Sequence, residues 1–394
     1  MLPQDALARR LLPYDCLVER FDAIVVGAGP AGSTAALRLS RAGAKVLLLD
    51  RERFPRDKPC GGGLTERAVK QLPVSVDPVV EDVVDRFELG FRYGTRFVRG
   101  GERPLVLMTQ RRRLDTYLAE RAAAAGADFR DGVRATGIEL DGRVRFDATA
   151  AKADVVIGAD GVNGLTARTL GFGERRHGVA LEGNVSYVHA REDRWRGRAV
   201  VDLGAVPGGY AWVFPKGDHV NVGVGGWRSE GPRLRQHLER ACAGYGLPYE
   251  RLESVRGFRL PMRQAGETPV RGRALLVGDA AGLVDPLSGD GIYEALLSSR
   301  LAVEAVLADD LAGYGERLAR RLDPMISASW SAKLAFDRFP RLAFTIARTP
   351  PAWRLAERLL RDELPDPRRV SGTMRVPLQA LRALSHAAGA GATR

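Results

Sequence analysis

Cysteine is scarce in this chain of 394 residues: there are three, Cys16, Cys60 and Cys242, with no paired spacing. That excludes a disulfide framework and a cysteine-rich zinc module, so no metal site is expected, and it fits a reducing compartment. No run of about 18 apolar residues occurs, so no helix is expected to span a bilayer. Residues 1–20 contain Arg9 and Arg10 but no apolar stretch ahead of a cleavage site, and no signal peptide is read there. Lys/Arg blocks and nucleic-acid modules are also missing, which removes nucleic acid as a partner. The expectation is a cytoplasmic protein, either free or held peripherally on the inner face of a membrane.

What is present is an ordinary globular balance, 45% hydrophobic and 27% charged, with 45 glycines gathered in tight clusters. Such clusters suit loops whose backbone closely approaches a ligand. The net charge of +12 favours anionic partners: a phosphate-bearing cofactor, a diphosphate lipid or a membrane surface. Arginine used as a solvated surface cation accounts for the same excess.

Phe21–Val26 is an apolar run suited to a buried parallel strand. A glycine turn follows, then an alanine-rich helix over 30–42 and a second apolar strand over 45–50, which together make a βαβ unit. A charged, glycine-rich loop fills 51–63, and a helix is expected from about Leu64. Over 81–108 and 178–264, aromatic and β-branched residues alternate with turn residues, the signature of an antiparallel sheet. Between and after these stretches lie the helix 114–125, the strand 153–157 and the strand 273–277 followed by the helix 291–308. The fold class predicted is α/β: a Rossmann-like domain assembled from 21–80, 109–177 and 265–312, interrupted by the antiparallel-sheet domain. An N-terminal extension (1–20), a helical region (313–380) broken at its prolines and a flexible tail (381–394) complete the division.

Gly27-Ala28-Gly29-Pro30-Ala31-Gly32 fits G-x-G-x-x-G between a strand and a helix. Gly27 permits the tight turn, Gly29 admits a pyrophosphate against the backbone, and Gly32 lets helix pack on strand. Pro30 and Ala31 open the helix, whose N-terminus carries partial positive charge toward the phosphates. Asp50, closing the next strand beside Arg51, places a carboxylate where ribose hydroxyls bind. A second glycine constellation lies far downstream, with Gly278 and Asp279, then Pro286, Gly289, Gly291 and Ile292. Asp279 suits a ribityl hydroxyl, and the helix beginning near Gly291 suits the edge of a reduced, negatively charged isoalloxazine. Two clamps of this kind indicate FAD rather than a nicotinamide dinucleotide.

With these motifs the chain resembles the para-hydroxybenzoate-hydroxylase-type flavoproteins. The resemblance assigns Asp160 and Gly161 to that superfamily's central Asp-Gly motif and Arg111 to an arginine near the flavin. Two further segments resemble the geranylgeranyl reductase family: Lys58-Pro59-Cys60-Gly61-Gly62-Gly63 and Tyr210-Ala211-Trp212-Val213-Phe214-Pro215. The similarity covers roughly 20–310 and implies saturation of C=C bonds in a polyprenyl lipid or quinone side chain, with NAD(P)H or ferredoxin as electron donor. It makes Cys60, with Tyr210 and Trp212, the catalytic candidates. Lys58, Gly62, Tyr210, Trp212, Phe214 and Pro215 become substrate contacts, and Cys60 and Gly61 also approach the flavin.

The residues agree with that chemistry. Tyr210, Trp212 and Phe214 fall at strand period and so share one face, a wall suited to an isoprenoid chain or to a plain sheet core. Cys60 is read as a proton donor or pocket-shaper, its pKa lowered by Arg56 and Lys58, or as a small buried hydrophobe. Arg56, Lys58 and Lys216 are candidates for a diphosphate head or for solvation. Leu334–Ala347 suits either a membrane interface or packing on the flavin domain. Two other functions fit the motifs: a flavin monooxygenase acting on an aromatic or polyketide, and a membrane-surface flavin-binding protein without catalysis.

Overall fold

The computed structural model describes residues 18–391 apart from 174, 175 and 365. Cys16, Arg9 and Arg10 lie outside the described residues.

A parallel sheet forms the first layer, in the order Ala274–Leu276, Thr149–Gly158, Glu19–Val26, Val46–Leu49 and Asp128–Arg130. Its central strands read as continuous apolar runs because helices cover both faces; Val46–Leu49 is buried throughout. Each such leucine contributes about 1.5–3 kcal/mol by leaving water. Helix Pro30–Arg41 packs against helices Arg111–Ala124 and Ile292–Leu307. The chain moves outward from Glu19–Val26 through Val46–Leu49 on one side and through Thr149–Gly158 on the other. The strand order therefore reverses between those two neighbours, and ligands bind at the carboxyl ends of strands flanking such a reversal.

The second sheet has seven strands in the order Glu253–Pro261, His177–Ser186, His219–Trp227, Tyr210–Pro215, Arg198–Leu203, Arg86–Phe91 and Thr95–Gly100. It is antiparallel except where Arg198–Leu203 runs parallel to Arg86–Phe91. Helix Leu234–Tyr245, not read in the sequence, covers one face with Leu238, Ala241 and Cys242. The segment 81–108 is shared between sheets: Val106–Met108 is the central strand of a small third sheet, pairing with Gly63–Thr65 on one side and with Asp82–Val84 on the other. The helix expected near Leu64 is the single turn Glu66–Val69 that follows this strand.

Two expectations for the C-terminal region are corrected. Pro324 does not break the chain; it lies inside the helix Gly313–Arg338. Proline sacrifices one hydrogen bond there, while the buried face formed by Leu318, Leu322 and Ile326 holds the helix in place. Residues 381–391 are not a loose tail but the end of helix Arg375–Gly391, an alanine-rich segment packed on Gly313–Arg338. Pro340 and Pro350 do mark boundaries, each starting a helix. Arg361 ties this region to the small sheet: its guanidinium bonds Glu66 at 2.8 Å and the Pro104 and Arg103 carbonyls at 3.1 and 3.0 Å.

Candidate active site

Gly27 and Ala159 end the two strands flanking the reversal, and Ala159 N donates to Val26 O at 2.7 Å. Gly27 has φ +104°, and a Cβ there would collide with the Ala159 carbonyl, so only glycine makes this turn. Asp50 is buried and organises the loop: Oδ2 accepts from Ala28 N at 2.8 Å and Oδ1 from Glu52 N at 3.0 Å. Arg51 beside it is exposed and paired with Glu52. A Cβ on Gly29 would stand 3.6 Å from both the Arg56 and the Arg111 guanidinium. Both are held by the fully buried Asp115, Arg56 at 2.7 Å and Arg111 bidentately at 2.7 Å. The two cations therefore converge over a helix N-terminus, an arrangement suited to a pyrophosphate.

From this loop one continuous cavity of about 1040 Å³ reaches Asp279, Pro286, Gly289 and Ile292 of the late turn and then Tyr210, Trp212 and Phe214. A single drug-sized ligand needs about 300–1,000 Å³, so this volume suits a dinucleotide with room beyond it. Asp279 pairs with Lys58 at 2.9 Å. Gly278, at φ +57°, donates its N–H to Ser298 Oγ at 3.0 Å. Asp285 fixes the turn, accepting from Leu287 N, Ser288 N and Ser329 Oγ. Asp290 caps the helix at Ile292 N, at 2.9 Å. Asp160 lines the cavity, but its carboxylate accepts from the Thr166 amide at 2.9 Å and from the Thr166 hydroxyl. It closes its own turn.

The loop 58–63 crosses the cavity between the two sheets. Cys60 is half-buried, and its N–H donates to Glu182 Oε1 at 2.6 Å. Gly62 N donates to Cys60 Sγ at 3.3 Å. Burial pushes the Cys60 thiol up, Arg111 opposes this, and Glu182 adds to it. The expected lowering by Arg56 and Lys58 is thus corrected: both cations are engaged by carboxylates elsewhere, and desolvation dominates. Lys216 is not a head-group ligand. It is buried and donates to the Gly61 and Thr109 carbonyls, the second at 2.8 Å.

Tyr210, Trp212 and Phe214 all line the cavity, while Ala211 and Val213 join the core on the other face. Tyr210 and Trp212 meet edge-on at 5.9 Å between centroids, and Trp212 and Phe214 lie at 6.3 Å. Glycine at 223 leaves space for the Trp212 indole, whose Nε1 donates to Asn221 Oδ1 at 2.8 Å. Tyr210 Oη donates to the Ser288 carbonyl, and burial pushes its pKa up. A Cβ on Gly61 would lie 2.9 Å from the Phe214 ring, so loop backbone and aromatic wall are in contact. Pro215 falls outside the cavity, because period two turns it to the opposite face.

The chain matches the FAD-binding domain family over residues 20–297. It is 31% identical to the chloroplastic geranylgeranyl diphosphate reductase of Oryza sativa, over 75% of this chain and 68% of that one. It is 34% identical to a menaquinone reductase of Mycobacterium tuberculosis, over 76% and 83%. A geranylgeranyl bacteriochlorophyll reductase-like structure from Thermoplasma acidophilum superimposes with TM-score 0.72 at 25% identity, over 82% of this chain and 89% of that one. The chain belongs to the geranylgeranyl reductase type of FAD-dependent oxidoreductases. The glycine cradle, the converging guanidiniums and the size of the cavity fit FAD, which is its cofactor.

This geranylgeranyl reductase-type site also holds residues the sequence reading passed over. Asp115 stands four residues after Arg111, a helical spacing that signals a pair. Glu182 interrupts an apolar strand, which marks it in retrospect. Arg67 lines the cavity, binds Asp290 at 3.2 Å and lies 4.4 Å from the Tyr293 ring; nothing in local sequence announces it. Among the described residues, no helix is long and apolar enough to cross a membrane.

Proposed function

We propose that this oxidoreductase saturates C=C bonds of a polyprenyl chain carried by a lipid or a quinone. The observation that carries this reading is the contact between the Cys60-Gly61 loop and the Tyr210–Trp212–Phe214 wall inside the cavity that begins at the glycine loop. An isoprenoid offers almost nothing to hydrogen-bond, and an aromatic slot is the surface that orients it. Bound FAD, once reduced by NAD(P)H or ferredoxin, supplies a hydride.

The chain's own residues do the rest. Gly27, Gly29, Pro30, Ala31, Arg56, Arg111 and Asp50 seat the dinucleotide phosphates and ribose, and the turn from Gly278 to Ile292 seats its other end. Trp212 and Phe214, with Gly61 packed against the Phe214 ring, form one wall for the chain and exclude water. Cys60 keeps its proton because burial disfavours the thiolate, so Sγ–H is the group placed to protonate the second carbon. Leu334 and Leu342 are exposed, with Arg338 and Arg341 close by in sequence, and form the face we assign to a membrane surface that delivers the lipid. The rice and mycobacterial relatives carry the names of a diphosphate and a quinone reductase, and both names support a prenyl substrate.

The test is anaerobic. Photoreduced protein is mixed with geranylgeranyl diphosphate or a prenylated quinone, and flavin absorbance and product mass are followed. Reoxidation with a gain of about two mass units per double bond is expected. Flavin that stays reduced until oxygen is admitted, with oxygen then incorporated into an aromatic substrate, would establish a monooxygenase instead.

A further inference from the structure

Two ionisable side chains of opposite sign hold backbone groups of two consecutive residues of the Cys60 loop from beneath. Glu182, in the middle of strand His177–Ser186, takes the Cys60 N–H at 2.6 Å. Lys216, just beyond strand Tyr210–Pro215, takes the Gly61 carbonyl. Both residues are buried, and the Asn221 side chain also faces the Glu182 carboxylate. A buried carboxylate is costly, and a scaffold that needed only an amide acceptor would be served by glutamine or a backbone carbonyl.

We propose that Glu182 is a positioning residue for Cys60: it fixes the loop that carries the thiol and, when ionised, its negative charge keeps Sγ protonated. This deepens the reductase reading and rests on it for the thiol's purpose, though not for the electrostatics. The charged groups facing Glu182 are Cys60 and Asp57 on the loop, Lys216 beyond the aromatic strand, and Arg256, its register partner on the neighbouring strand, which is tied to Asp57 at 3.4 Å. Burial pushes the Glu182 carboxyl up to about 7, against the Cys60 amide and Lys216. Burial also pulls Lys216 down to about 8. Near pH 6 the carboxyl is therefore neutral and the ammonium intact, whereas near pH 8.5 the carboxylate is charged and the amine largely neutral. The charge beneath the thiol becomes more negative just where a thiol would otherwise begin to ionise.

The experiment is iodoacetamide labelling of the flavin-loaded protein from pH 6 to 9, with Cys60 modification read by peptide mass. Labelling follows the thiolate. A bare thiol well below its pKa gains tenfold per pH unit; the wild type is expected to gain less than that between pH 6.5 and 7.5, as Glu182 ionises. Glu182→Gln keeps an acceptor for the Cys60 N–H but removes the charge. Its labelling is expected to match wild type near pH 6 and to exceed it by about threefold to tenfold at pH 8.5. Equal rates at every pH, or a slower variant at pH 8.5, would overturn the proposal. Should the variant fail to retain flavin, the wild-type slope decides alone, and an uninterrupted tenfold gain per unit overturns it. No prenyl substrate enters this measurement. If labelling behaves as expected and the prenyl assay is negative, the assigned reaction fails and the role of Glu182 stands.

Discussion

Lys58 Nζ lies 2.9 Å from Asp279 Oδ2, although 221 residues separate them in the chain. The pair fastens the loop that carries Cys60 to the late turn, and so closes the cavity between its two glycine-rich walls. Both partners are partly exposed, at 36% and 20%. An ion pair of this kind contributes at most about 1 kcal/mol. Lys58→Met should therefore raise the dissociation constant for FAD by about fivefold or less, measured by flavin fluorescence titration. A loss of a hundredfold would show that Lys58 touches the cofactor itself.

Asp115 is fully buried and compensates both Arg56 and Arg111. Asp115→Asn leaves Arg111 without its bidentate carboxylate and Arg56 with only Asp50, at 3.6 Å. Removing one partner of a buried ion pair costs about 3–5 kcal/mol. Urea denaturation of the flavin-free protein should show a loss of that size, and flavin binding should weaken with it.

Lys216 gives the stability curve a definite sign. Burial pulls its pKa down to about 8 from an ordinary value near 10.5, so the unfolded chain binds more protons between those values. Stability therefore gains a contribution as pH rises from about 8 to 10.5. Lys216→Met lacks it. Denaturation midpoints at pH 7.5 and 9.5 should show the wild type improving relative to the variant at the higher pH; an unchanged difference would place the amine in a solvated site.

Gly61 and Phe214 touch where the loop meets the aromatic wall, and their contact sets the position of that wall. Gly61→Ala drives a methyl toward the ring at 2.9 Å, and kcat should fall about tenfold or more while flavin content stays constant. Adding Phe214→Leu to Gly61→Ala should restore part of the loss. A double variant no better than the single one would mean that the alanine acts by straining the loop backbone.

Much of this architecture can be read from local pattern. G-x-G-x-x-G after an apolar run, Asp50 at the end of the next strand and three aromatics at period two are signals a few residues long. Each is produced by physics acting within one element. What escaped is non-local. Nothing near Glu182 says that a loop 122 residues earlier will rest on it, and nothing near Lys216 says that its amine will turn inward to the Gly61 carbonyl rather than outward to a phosphate. Asp160 adds a local detail that the motif does not announce: its carboxylate lines the cavity and also accepts from Thr166 within its own turn. Position misled near the end of the chain, where a terminal segment suggested a tail and packing against Gly313–Arg338 made a helix through residue 391.

Leu360 lines the cavity, and the next residue, Arg361, is bolted to Glu66 and to the carbonyls of Arg103 and Pro104. The C-terminal helical region is thus one panel of the cavity, although the family match ends at residue 297. Divergence in these last helices can reshape which molecules are admitted while the nucleotide seat, built almost wholly from earlier segments, stays as it is.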